Sequence, residues 1–200
     1  MRGCSHETEI VSSLLLDKPV LLKLEEIASE MEDNINYDSA PLWELQDSLV
    51  PTHPHNLIKN IMTPLQCARD EIEICNINYS GNYVILYCCK YLEEITRYFL
   101  CIMHPVMKLR YKITPLSNLI HKVNSFDFIS PKISESLIAI FKLGSRCKSS
   151  ENIIITAKDA IFIYICSMII GTHLLNSSDS HIKQSEEKCL DSLYNIDMRS

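Results

Sequence analysis

From Ala160 to Leu175 runs the longest apolar segment of the chain that holds no charged side chain. It falls short of the ~20 residues that a membrane-spanning helix needs, and Lys158 and Asp159 stand at its head. The segment is therefore expected to be a helix buried inside a bundle, and the rest of the chain must supply the helices that bury it. Its start is marked locally. Thr156, with Asp159 three residues on, makes a variant capping box.

The segments upstream carry helical spacing. Leu116, Leu119, Ile120 and Val123 share one helix face. Ser130 offers an N-cap side chain, and Pro131 occupies the first helical position, where its missing N–H costs nothing. The helix that follows buries Ile133, Leu137, Ile140, Phe141 and Leu143, and Gly144 is expected to end it in the left-handed conformation. A polar loop is predicted from Ser145 to Asn152. Earlier, Tyr83 to Met103 reads as the longest helix, apolar nearly all round, after a turn at Ser80-Gly81-Asn82. Leu57 to Cys75 is helical in period, with a break near Pro64 that would put the proline in a first turn.

Val20, Leu21, Leu24, Ile27, Ala28 and Met31 form an amphipathic helix whose other side is acidic through Glu25, Glu26, Glu30, Glu32 and Asp33. Trp43, the single tryptophan, is expected to pin the N-terminal segment to the bundle. After Leu175 the sequence turns polar, and two readings stay open for the tail, a helix from Gln184 to Tyr194 or disorder. The fold expected is all-α: a helical bundle of four to five main helices with an N-terminal helical arm. The divisions are residues 1–50 for the arm, 54–175 for the bundle and 176–200 for a polar C-terminal tail, removable without unfolding the bundle.

Composition excludes several classes. Four glycines in 200 residues disfavour a turn-rich sheet fold, and a net charge of −6 disfavours a strong sequence-independent nucleic-acid binder. The N-terminus lacks the pattern of a signal peptide, since Glu7 and Glu9 precede a short apolar run with no cleavage site. Nine cysteines, an odd number without a secretion signal, point to a reducing, cytoplasmic setting with free thiols. No CxxC pair exists. His53 and His55 with Cys67 are the one weak metal constellation, and the expectation is that no metal and no cofactor is bound.

Four short sequences stand in a fixed order: Lys90-Tyr91-Leu92-Glu93; Leu116 to Ile120; Ile129-Ser130-Pro131; and Phe141-Lys142-Leu143-Gly144-Ser145-Arg146-Cys147-Lys148-Ser149. Over residues 54–175 this order resembles a divergent HEPN domain of the uncharacterised prokaryotic and mobile-element branch. That branch carries a Leu-Arg-x-x-Leu-Glu helix, a Leu-x-x-x-Ile helix, an Ile-Ser/Thr-Pro step and a helix ending in Arg-x-Leu-Gly-Asn-x-x-x-His. The resemblance implies a helical domain that commonly pairs as a homodimer in defence or toxin–antitoxin settings. In catalytic members the motif's Arg and His act on an RNA phosphodiester and its Asn orients them. Here Phe141 stands for that Arg, Ser145 for the Asn and Ser149 for the His, with Lys142 able to take the cationic role.

Without an imidazole in the Ser145–Ser150 segment, phosphodiester cleavage lacks its proton-transfer group. The degenerate motif, Phe141, Lys142, Gly144, Ser145 and Ser149, is thus expected to be silent, and the protein to act as an interaction or regulatory module on a protein partner or a second copy. RNA would bind weakly, with Lys108, Arg110, Lys112, Arg146 and Lys148 as the available phosphate contacts, and no membrane is engaged. Two alternatives stay open. One is a metal-independent endoribonuclease, with Arg97 and His104 as its runner-up catalytic pair on a loose Arg-x6-His spacing, or Lys142 with serines. The other is an unrelated all-α viral or host-interaction protein that binds through an amphipathic groove.

Overall fold

The computed structural model describes residues 5–34, 36–50, 59–74, 77–149 and 153–197, and the side chains within 6–34, 36–50, 61–73, 80–149 and 153–185. Within these residues the protein is all-α. The helices are α1 (Ser5–Leu15), α2 (Lys18–Asp33), α3 (Ala40–Leu49), α4 (Lys59–Ile74), α5 (Ile77–Met103), α6 (Lys108–Ile113), α7 (Leu116–Val123), α8 (Pro131–Lys148) and α9 (Ala157–Asp197). A 3-10 turn, Pro105–Met107, leads into α6.

Helices α5 and α9 form the axis of the bundle. They pack most extensively on each other, and α4, α7 and α8 close around α5 while α1 and α2 close around α9. Ala160, Ile161, Ile163, Ile165 and Cys166 of α9 are fully buried, as are Val84, Ile85, Leu92, Ile95, Phe99 and Leu100 of α5. By length and composition α9 could cross a membrane, yet 72% of its apolar stretch is buried inside the bundle. The N-terminal helices contribute Val11, Leu24, Leu42 and Leu45 to the same apolar cluster. Trp43 links three elements: its ring meets Tyr164 of α9 edge-on at 6.1 Å, Arg69 of α4 lies 4.2 Å above it, and its Nε1 donates to Ser39 Oγ at 2.9 Å.

The local start signals act as expected. Ser130 Oγ accepts from the amide of Lys132 at 3.3 Å. At the head of α9, Asp159 Oδ2 accepts from the Thr156 amide at 3.1 Å, and Thr156 Oγ1 accepts from the Asp159 amide at 3.1 Å. Two orphan donors are thereby satisfied reciprocally.

The stop signals behave differently. Gly144 does not end α8, which runs on to Lys148, so Ser145 to Lys148 is helix rather than loop. Ser80-Gly81-Asn82 is no turn but part of α5. No glycine among the described residues has a positive φ. What these positions require is close approach. A Cβ on Gly144 would collide with Cys89 Sγ, one on Gly81 would lie 2.7 Å from Ile155 Cγ2, and one on Gly171 would overlap the hydroxyl of Tyr91. All three lie where α5 meets a neighbour.

Two other expectations change. Helix α4 continues unbroken through Pro64, which sits beyond its first turn and gives up the bond it would donate to the carbonyl of Asn60. Helix α9, at 41 residues, is the longest, and passes straight through the serine-rich stretch after Leu175. The serines there bond back to their own helix: Ser177 and Ser178 donate to the carbonyls of His173 and Leu174 at 2.8 and 2.9 Å, and Ser178 is fully buried. Internal bonding of this kind lets a polar sequence stay helical. His53 and His55 of the metal constellation lie outside the described residues.

Candidate functional site

The degenerate motif lies on the last two turns of α8, facing a cleft of about 800 Å³ that α5, α7 and α8 enclose with α1 at its mouth. Phe141, Lys142, Gly144, Ser145, Arg146 and Lys148 line it, whereas Ser149 does not. Ser145 Oγ donates to the carbonyl of Phe141 at 2.9 Å and Ser149 Oγ to that of Arg146 at 2.8 Å. Both hydroxyls thus serve the helix's own carbonyls. Arg146 reaches across to α1, where its Nη1 meets Glu7 Oε1 at 2.6 Å.

One residue that the sequence reading passed over lines the same cleft. His121, on the exposed edge of α7, lies there with Ser117 one turn before it and Ile120 beside it. An imidazole is therefore present at the motif after all, supplied from another helix rather than from the segment after Gly144. The only signal in the sequence was position, since His121 borders the apolar Leu116–Ile120 face. From α5 come Lys90 and Glu93. Glu93 Oε1 already accepts from Arg97 Nη2 at 2.6 Å, and Lys90 Nζ meets Glu94 Oε1 at 2.6 Å.

The floor of the cleft is aliphatic, with Leu86, Leu116, Ile120 and Ile138. Cys89 reaches it too, but its Sγ donates to the carbonyl of Ile140 at 3.4 Å and burial pushes the thiol up, making it a poor nucleophile. The half-buried Cys147 thiol is likewise pushed up to about 11 by burial. The described cysteines are unpaired thiols. No group of three or more metal-ligating side chains occurs among the described residues.

The runner-up pair, Arg97 and His104, has structural partners of its own. Arg97 donates Nη1 to the carbonyls of Tyr111 and, at 3.0 Å, Thr114, while its Nη2 holds Glu93. These carbonyls belong to the last turn of α6, whose C-terminal acceptors have no partner within their own helix. Arg97 thus satisfies carbonyls at the C-terminal end of α6 from α5. His104 stands just past α5 as the lead-in to the 3-10 turn, exposed, its ring 5.2 Å from that of Phe126. It lines a second cleft, of about 630 Å³, with Arg110, Tyr111, Thr114 and Lys122.

The five candidate phosphate contacts also fall into separate groups. Arg146 and Lys148 face the α5–α7–α8 cleft, Arg110 faces the cleft at His104, and Lys108 and Lys112 flank it on exposed positions of α6. On the 3-10 turn and on α6 apolar residues point outward. Val106 is 97% exposed, Leu109 79% and Ile113 84%, and of this helix only Tyr111 is buried. In comparisons with family models, curated proteins and solved structures, nothing matches this chain.

Proposed function

We propose that this protein is a helical interaction module that works by docking a protein surface rather than by catalysis. The observation that carries the reading is the run of Val106 on the 3-10 turn and Leu109 and Ile113 on α6, three large apolar side chains mostly in solvent. A contiguous exposed apolar patch with a charged rim marks an interaction site. Lys108, Arg110 and Lys112 supply that rim, so the complementary surface is apolar at its centre and acidic at its edge. The first occupant to test is a second copy, whose exposed Glu26, Glu30 and Asp33 on α2 offer such an edge. The order of α5, α7 and the Ser130-capped α8 supports a HEPN-type ancestry for the scaffold.

Light scattering across a concentration series, at low and high salt, tests this against a Leu109→Ser/Ile113→Ser variant. The expected result is self-association of the native chain that weakens with salt and disappears in the variant. A native chain that stays monomeric throughout would overturn pairing through this run.

A second reading, a metal-independent endoribonuclease, is favoured by one observation: His121 lines the cleft that holds Lys142, Arg146 and Lys148. Imidazole is the usual proton-transfer group near neutral pH. RNA incubated with the native chain, a His121→Ala variant and a His104→Ala variant separates the readings. No cleavage is expected from any of the three. Cleavage lost only in His121→Ala would make the cleft an active site.

A further inference from the structure

We infer that the cleft between α5, α7 and α8 binds a small organic anion with an aliphatic body, of the long-chain carboxylate class. This site is distinct from the apolar run at α6 and stands or falls independently of it. Its volume, about 800 Å³, lies within the ~300–1,000 Å³ of small-molecule sites.

Charge favours an anion there. Four cations line the cleft, Lys90, Lys142, Arg146 and Lys148, against two carboxylates, Glu7 and Glu93, in a chain whose net charge is −6. Both carboxylates are already engaged, Glu7 by Arg146 and Glu93 by Arg97, each at 2.6 Å. Lys142 and Lys148 pair with no carboxylate among the described residues, and both are exposed on the α8 side of the cleft. Their ammonium groups would meet the head of the ligand.

The floor sets the body. Leu86, Leu116, Ile120 and Ile138, with the ring of Phe141, give an apolar lining without an amide or carboxylate edge. A nucleobase needs directed polar groups to read its edges. Ser145 and Cys89 already spend their protons on the carbonyls of Phe141 and Ile140, which leaves Ser117 and His121, both exposed on α7, as the polar side chains able to meet a base edge. An alkyl chain asks only for apolar area.

Isothermal titration calorimetry of the full chain would use laurate, the neutral dodecanol, and AMP as probes. Expected is a saturable single site for laurate, with dodecanol at least about tenfold weaker and AMP weaker still. A Lys142→Gln/Lys148→Gln variant should weaken laurate by about tenfold and leave dodecanol unchanged. These substitutions are at half-buried or exposed side chains, and circular dichroism would verify that each variant is folded. An Ile138→Trp variant, which fills the floor, should abolish binding of laurate and dodecanol alike. No saturable laurate binding, equal affinity for dodecanol, indifference to the lysines, or tighter binding of AMP would each overturn the assignment.

Discussion

Helices α5 and α6 are neighbours in sequence and opposites in how they are held. Along α5 the apolar residues sink into the bundle, with Ile95, Phe99 and Leu100 wholly buried. On α6 the same residue types stand outward, and only Tyr111 reaches the interior. Burial fixes α5, whereas α6 is fixed by polar bonds, above all the Arg97 guanidinium on the carbonyls of Tyr111 and Thr114. Apolar area gains free energy on leaving water, roughly 25 cal/mol per Å². A helix that leaves its apolar side in solvent forgoes that gain, and function is the simplest physical reason for doing so.

The sharpest way to expose this contrast is to empty the α5 side. Phe99 packs edge-on against Phe126 at 5.3 Å and Phe128 at 6.4 Å, joining α5 to the segment before α8. Phe99→Ala should lower the free energy of unfolding by about 3–5 kcal/mol, since the cavity cannot close fully between long helices. Urea denaturation gives the figure, and a loss below 1 kcal/mol would mean that α5 is not held by burial at this point.

A smaller loss is expected from the clamp on α6. Arg97→Ala removes three polar bonds and leaves α6 carbonyls without a protein partner, which should cost about 1–3 kcal/mol. Arg97→Lys should recover little of it, because an ammonium lacks the planar fork that spans two carbonyls. Hydrogen exchange should show faster exchange at the Thr114 amide, which donates to Arg110 O across that turn, with the amides of α5 unchanged. Equal acceleration in both helices would erase the distinction.

The same contrast explains what could be read in the sequence. Thr156 with Asp159, Ser130 with Pro131, and the Leu119–Ile120–Val123 face were legible because each acts over three or four residues. Gly81 and Gly144 were misread, since a glycine that ends a helix and a glycine that lets another helix touch look identical in one dimension. Only the arrival of Ile155 and Cys89 decides between them. Part of the candidate site was visible as the short sequence from Phe141 to Ser149, although Ser145 and Arg146 were expected in a loop rather than on α8. His121 and Glu7 were not, because nothing local ties α7 or α1 to the end of α8. The basic run Lys108–Lys112 was visible as charge, but not as a helix with its apolar side turned out.

Acid should act on the buried region and spare α6. His173 of α9 has a buried Nε2 with no hydrogen-bond partner, and burial lowers its pKa below the usual 6.5. In the unfolded chain the imidazole takes a proton near pH 6.5, while in the folded chain it resists until lower pH. Between those values the unfolded state holds more protons, so stability present above pH 6.5 is lost as pH falls through the folded value. Melting temperature measured from pH 7.5 down to 5 should therefore decline more steeply for the native chain than for His173→Asn. Parallel profiles would show that His173 does not govern the acid limb.

The smallest effect on stability is expected where the apolar residues are most exposed. Leu109 is 79% in solvent, so replacing it removes little buried area, and Leu109→Ser should change unfolding free energy by no more than about 0.5 kcal/mol. Serine carries a somewhat lower helix propensity than leucine, which sets the sign as slightly destabilising. The informative feature is the pairing of two measurements on one protein. On the proposed pairing, folding should be nearly untouched while salt-sensitive self-association falls away, because the side chain would belong to a surface completed by a second chain. If the substitution instead cost as much as one in the core, Leu109 would have to be buried in solution. In that case α6 would be folded back on the bundle, and the difference between the two helices would vanish.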